Sequence, residues 1–587
     1  MTQLATKPSP PTWEAVALLS ELTPDEGKIV HVQGKTLALF LHQDRVHAVD
    51  NRCPHMGFPL HKGSVKDGIL TCHWHHARFD LTCGGTFDLW ADDVKGYPVE
   101  VRGEGDSAQI WLNADPPQGD QIAYYRKRLD AGLRYNLRLV IAKSVIGLLN
   151  AGGTPQEALR VGANFGTLYA RNGWGAGLTI LTAMANILPF LSPEDCPRAL
   201  YHGLTFVARE CAGQAPRFPI EPLETQSTNP ETLKRWFREF VERRDGEGAE
   251  RTLITAIEAN LTQAEIAEML FAACTDHLYR DVGHPLDFTN KAFELLDHIG
   301  WESAGIVLTS LLPRIVGSSR MEESSSWRHP IDIAELLWNA YAVLPEILEH
   351  GQASVVKWDE DAELTEQILK GEPADTISAM LEALRKGASP HTLAQTVSYA
   401  AGRRIAHFHI TNEFGDWDTV MHTFTYANAV QQGLRRVLSL DLLRGVFDAA
   451  MSIYLDRFLN MPATALPKPK ARPITLPSDL LDLLNGQQQV NESAQLVADV
   501  QAQAESRSEL LAAMGQCLLR EDTDFHTFQC LEAAFRQYTL LQGTPKADHA
   551  LISGVRYVSA HAPTPRSMGQ TYAIANRLQR GDALYEE

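Results

Sequence analysis

The chain of 587 residues is about four times the ~150 residues of an ordinary domain, so two or more domains are expected. Apolar residues make up 44% and charged residues 21%, a globular mix that excludes a collagen, a largely disordered chain and a membrane bundle. Acidic side chains outnumber basic ones 72 to 53, and a net charge of −19 repels phosphates, so nucleic acid and anionic lipid are poor partners.

In chain order, residues 1–12 form a tail with no apolar core or twin arginine, which predicts no export signal. Residues 13–115 predict an all-β domain: the segments 28–32, 37–42, 46–49, 97–102 and 109–112 are short, β-branched or alternating, and bounded by turn residues. A linker follows at 116–120. From 121 the apolar period changes from two to about 3.6, which predicts a large all-α domain over 121–460. The most apolar stretch, 175–191, carries Asn186 and Pro189 and predicts a buried helix, with no membrane span. A proline-rich connector occupies 461–477, and 478–587 is helical again. Eight cysteines in so long a chain make no disulfide scaffold, which fits a reducing cytoplasm.

The chemistry concentrates between residues 53 and 87. Cys53-Pro-His55 is separated by sixteen residues from Cys72-His-Trp-His75. Two thiolates and two imidazoles are a ligand set for tetrahedral zinc. One Cys followed by one His in each loop favours a [2Fe-2S] cluster, with both thiolates on one iron and both imidazoles on the other. Beyond the four ligands, Gly57, Leu60, Gly63, Phe79-Asp80, Gly84 and Tyr97-Pro98 fall at the spacings of the Rieske family, which residues 13–115 resemble. The resemblance implies that Cys53, His55, Cys72 and His75 hold the cluster, with the histidines on the solvent-facing iron. High-potential members brace their loops with a disulfide and donate hydroxyl hydrogen bonds to sulfur. The corresponding Phe58, Trp74, Ala77 and Phe79 do neither, so a potential near the low end of the Rieske range of about −150 to +300 mV is expected. Two positions depart from the family: His73 stands where Pro is usual and His76 where Gly is usual. Both are expected to be exposed loop residues. His61 lies near the ligand loops as well, and Cys83, beyond the ligand spacing, is expected to be a small buried residue.

The helical half carries no dinucleotide, nucleotide-phosphate or flavin motif and no Asp-x-x-His-x-x-x-x-His iron signature. It does repeat a pattern of His, aromatic and Ala at His202, His284, His422 and His526, with Asp281, Asp418 and Asp522 three or four residues ahead of the last three. That spacing puts acid and imidazole on one helix face, and the four histidines would converge on a second non-haem iron if the repeats pack around a common axis. The alternative is that each Asp only caps its helix. The pattern faintly resembles the questin-oxidase-like family, which performs Baeyer–Villiger-type oxidations, and this would place the four histidines in a substrate pocket. Trp174, Trp301, Trp338, Trp417 and Tyr426 are expected in the core. The expectation is therefore an iron–sulfur redox protein: an oxidoreductase whose cluster exchanges single electrons with a helical active site and a small-molecule substrate. The alternatives are an electron-transfer subunit serving a redox partner protein, such as an uptake hydrogenase or reductase, and a redox sensor.

Overall fold

The computed structural model describes residues 12–115, 119–224, 229–353, 358, 362–459, 462–470, 476–503, 507–582 and 584. Residues 1–11 of the expected tail, 116–118 of the linker, and 461 and 471–475 of the connector lie outside the described residues.

The β part contains β1 (Trp13–Leu18), β2 (Gly27–Val32), β3 (Lys35–His42), β4 (Arg45–Asp50), β5 (Ser64–Lys66), β6 (Ile69–Thr71), β7 (Arg78–Asp80), β8 (Gly96–Tyr97), β9 (Val99–Arg102) and β10 (Gln109–Asn113). They pair antiparallel in three sheets, ordered β1-β10-β9, β2-β3-β4-β8 and β5-β6-β7. The alternation of β3 explains how one strand serves two cores. Leu37 and Leu39 pack with Val30, Val32, Ile110 and Leu112. Ala38 and Phe40 face the other way, onto Leu70, Phe79, Cys53 and Cys72. The β5–β7 hairpins, three residues per strand, are too short to show a period of two.

Two helices follow, α1 (Gln121–Arg134) and α2 (Arg138–Asn150). Asp120 caps α1, accepting from the N–H of Ala123 at 3.0 Å. The sequence groups both with the all-α segment, yet the chain divides into one compact unit of residues 1–154 with 570–587 and a second of 155–569. Polar contacts explain the grouping: Arg128 of α1 donates to Asp92 (2.8 Å) and to the carbonyls of Leu89 and Ala91, and Gln579 donates to the Lys143 carbonyl (3.3 Å).

The second unit is helical throughout its described residues. The apolar stretch at 175–191 forms the helix Ala176–Ile187, buried along nearly its whole length. Among the described residues no helix is long and apolar enough to cross a membrane. A buried polar ladder joins the helices His284–Ile299 and Phe525–Leu540. Gln529 donates to Asp287, Lys291 to Glu294 (2.9 Å) and Glu532 (2.7 Å), and Arg536 stands 3.5 Å from Glu294. The rungs recur every three or four residues on both helices, so each chain of rungs lies on one face. Asn186 donates to both Glu294 (2.7 Å) and Glu532 (2.9 Å). Burial works against the Glu294 charge, but Lys291 and Arg536 hold its carboxyl well below the usual carboxylate range. Removing one partner of a buried, hydrogen-bonded pair leaves the other charge desolvated. Lys291→Met should therefore destabilise the unit by about 3–5 kcal/mol, read as a lower urea midpoint at unchanged m-value.

Candidate metal centres

The two ligand loops of the β unit share one backbone plan. The Cys53 N–H donates to the Phe58 carbonyl (2.8 Å) and the Cys53 carbonyl accepts from Gly57 (2.7 Å). The Cys72 N–H likewise donates to Ala77 (2.8 Å), and its carbonyl accepts from His76 (3.0 Å). Both cysteines are buried free thiols that interact directly. The N–H groups of His55 and Met56 hydrogen-bond the Cys53 sulfur, and those of Trp74 and His75 the Cys72 sulfur. The hydrogen bond from Cys53, with these amides, holds the Cys72 thiol below its ordinary range although burial opposes it. The His55 and His75 rings meet edge to face at 4.9 Å. His55 Nδ1 is buried without a hydrogen-bond partner and Trp90 packs on its ring at 4.5 Å, whereas His75 is exposed beside Trp74. Two cradled thiols and an orphaned imidazole nitrogen are what a cluster with two sulfur and two nitrogen ligands requires, and the residues fit it.

The shared plan also explains one departure from the family pattern. Gly57 and His76 occupy equivalent positions, four residues after each cysteine, and both are left-handed, with φ of +85° and +63°. The family glycine suits this conformation; His76 adopts it at a cost of about 1–2 kcal/mol. Replacing His76 by Gly should raise the stability of the β unit by about 1 kcal/mol in denaturant melts. His73 and His76 are exposed, as expected, with His73 Nε2 3.1 Å from Ser64 Oγ. His61 is tied to Asn51, which accepts from its backbone N–H (2.8 Å) and lies 2.9 Å from Nδ1. Cys83 corrects the expectation of burial: it is exposed in a turn where its sulfur accepts from the Gly85 N–H at 3.4 Å.

In the helical unit, His284, His422 and His526 come together, each offering one nitrogen within 4.8 Å of the others. His422 Nε2 and His526 Nε2 are 3.1 Å apart. Two nitrogens each bound about 2.1 Å from one metal sit about 3.0–3.4 Å apart, so the spacing suits a shared ion. Two of the outward nitrogens are anchored by hydrogen bonds, and the third faces carboxylates beyond hydrogen-bond distance. His284 Nδ1 donates to the Asp281 carbonyl (3.0 Å), leaving a buried Nε2 with no partner. His422 hydrogen-bonds the Asp418 backbone, and His526 Nδ1 faces the carboxylates of Asp524 (3.6 Å) and Asp418 (3.9 Å). Metal-binding imidazoles are held this way, with the second nitrogen fixed by a carbonyl or carboxylate. Burial, reinforced by His284 and His526, pushes the His422 imidazole down to about 2, so it stays neutral with a free lone pair.

Backbone strain places His284. Tyr279, Asp281, Val282 and Gly283 all have positive φ, of 39°, 44°, 50° and 94°. For a β-branched valine this is unfavourable, and such runs persist where the surroundings over-determine them. Here Tyr279 N–H donates to Asp448 (3.3 Å), and the buried Arg280 donates to Ser318 Oγ (2.7 Å) and to the carbonyls of Ala273 and Ile315 (2.8 Å each). A Cβ on Gly283 would lie 2.8 Å from the Tyr426 ring. Gly283→Ala should cost about 1–3 kcal/mol of stability and loosen His284, measured by thermal melts with and without added metal.

The structure redistributes the roles expected of the acids. Asp281 serves His284 through its carbonyl. The Asp418 carboxylate accepts from Tyr557 (2.6 Å) and faces His526, not His422. Asp522 accepts from Ser567 and Met568 N–H groups and so caps the helix that starts there. His202 stays apart from the three, buried against Phe528 at 5.9 Å, and burial pushes its imidazole down to about 3. Asp524 went unmarked in the sequence; its signal was a cap, since it also accepts from the Thr527 N–H (3.3 Å). Trp174, Trp417 and Tyr426 are core residues, but Trp338 is 45% exposed.

With this geometry in place, residues 12–98 match the Rieske [2Fe-2S] domain family, and this segment is a Rieske iron–sulfur redox domain. The chain is 36% identical over 121 residues to a 4β-methylsterol monooxygenase of Methylococcus capsulatus, a match covering 18% of this chain and 31% of that protein. It is 29% identical over 93 residues to the ferredoxin component of the naphthalene 1,2-dioxygenase system of Pseudomonas aeruginosa, covering 16% of this chain and 89% of that one. Among solved structures, the ferredoxin of carbazole 1,9a-dioxygenase from Nocardioides aromaticivorans aligns at 27% identity and a TM-score of 0.17, over 18% of this chain and 99% of its own.

Proposed function

We propose that the chain is an oxidoreductase in which a [2Fe-2S] cluster on Cys53, His55, Cys72 and His75 supplies single electrons to a non-haem iron held by His284, His422 and His526. The observation that carries this reading is the convergence of three imidazoles in the helical unit. Bound there, iron would supply dioxygen activation, chemistry that needs electrons delivered one at a time. The protein's own part is to aim the imidazoles and, by burial, to hold those of His284 and His422 below their ordinary range. The Asp281 carbonyl holds the proton on His284 Nδ1, and Asp524 and Asp418 favour a proton on His526 Nδ1, so each Nε2 faces inward as a lone pair. The exposed His75 and Trp74 supply an edge where a redox partner protein would load the cluster. The names of the relatives and the faint questin-oxidase-like pattern support an oxidation of a small organic molecule, without identifying it.

The test is a single turnover. The iron-loaded chain is reduced, freed of reductant and mixed with oxygenated buffer, and cluster reoxidation is followed by its visible absorbance. Wild type should reoxidise at least about ten times faster than His422→Ala with its cluster intact; equal rates would contradict the reading.

A further inference from the structure

The Rieske match ends at residue 98, yet the loop carrying His55 is gripped by a side chain far beyond it. Lys143, on α2 and only 7% exposed, donates to the Pro54 carbonyl at 2.6 Å and to the Asp92 carboxylate. Asp92 is also engaged by Arg128 of α1 at 2.8 Å, and Trp90, two residues before Asp92, packs on the His55 ring. Burial opposes ionisation of Asp92, but its ion pairs with Lys143 and Arg128 keep its carboxyl below the usual range.

We propose that Lys143 and Asp92 are a charge pair, supplied in part by the helices after the Rieske domain, that sets the reduction potential of the cluster through the His55 loop. A fixed positive charge beside the cluster favours the reduced form, which carries one more negative charge. A fixed negative charge disfavours it. Because the pair is buried, bulk salt screens it weakly. Lys143 thus raises a potential that the lack of hydroxyl donors at Phe58, Trp74, Ala77 and Phe79 keeps low, and Asp92 limits the rise. Lys143 is here a positioning residue, since it acts through the Pro54–His55 peptide and its field.

This inference rests on the cluster assignment, and its test separates the two. The full-length chain with its cluster, and the variants Lys143→Met, Lys143→Arg and Asp92→Asn, are titrated potentiometrically with the reduced-cluster EPR signal as readout. Lys143→Met should titrate at a more negative potential than wild type and Asp92→Asn at a more positive one, with Lys143→Arg beside wild type. Shifts of the same sign in Lys143→Met and Asp92→Asn, as general loosening of the loop would give, would overturn the proposal, as would no shift in either. If Lys143→Met does not hold its cluster, the sign in Asp92→Asn decides: a positive shift supports the proposal and a negative or absent one overturns it. A wild-type chain with no Rieske EPR signal would instead sink the cluster assignment itself.

Discussion

Replacing Cys72 by alanine should empty the β unit of its cluster, taking labile sulfide from about two per chain to near zero. The argument is geometric. Cys72 and Cys53 are the buried thiols of the site, each cradled by two backbone N–H groups, and no other cysteine lies within either ligand loop. Cys83 is the nearest in sequence, but it is exposed and held in its own turn by Gly85, so it is no substitute. The helical unit should be untouched, because Cys72 lies in the other compact unit. The variant should therefore lose the visible absorbance and EPR signal of the cluster while keeping the far-ultraviolet helix signal. Sulfide retained at the wild-type level would show that Cys72 is not a ligand.

His422→Ala should do the reverse. Of the three histidines it is central, with ring centroids 4.7 Å from both His284 and His526, and its Nε2 lies 3.1 Å from that of His526. Losing a residue that merely orients a ligand costs about 10–100-fold in metal affinity, and losing the ligand itself should cost about 100-fold or more. Isothermal titration of the iron-free helical site with Fe(II) or Co(II) would read this loss. The cluster should keep its full sulfide content. If His422→Ala binds the ion as tightly as wild type, the three imidazoles are a polar pocket and the helical unit handles its substrate without metal.

The residues of the proposed cluster site were legible in the sequence as one local pattern, those of the histidine cluster only in outline, for physical reasons. The proposed cluster ligands sit in two short loops, so their chemistry is compressed into local spacing, and the turn residues around them are legible too. The left-handed slot at His76 was visible only as an unusual residue; its meaning came from the equivalence with Gly57. In the helical unit the ligand-like histidines lie far apart in sequence, 138 residues from His284 to His422 and 104 from there to His526. Local spacing marked each on a helix beside an acid, but which acid serves which imidazole depends on packing between helices. Asp418 was paired with His422 by spacing, whereas its carboxylate turns to His526 and Tyr557. The strained run from Tyr279 to Gly283 had only Gly283 as a sequence sign, since a tyrosine, an aspartate and a valine do not announce positive φ. The contribution of Lys143 was likewise hidden, because its partners Pro54 and Asp92 lie across a boundary that composition places near residue 116.

The central claim is that one chain joins a Rieske cluster to a second iron on three histidines. Its most direct test is the count of iron and acid-labile sulfide on the full-length protein, reconstituted anaerobically with iron and sulfide and then desalted. The account predicts about three irons and two sulfides per chain. Two irons with two sulfides, unchanged by excess Fe(II), would contradict it and leave the chain an electron carrier with a metal-free helical unit.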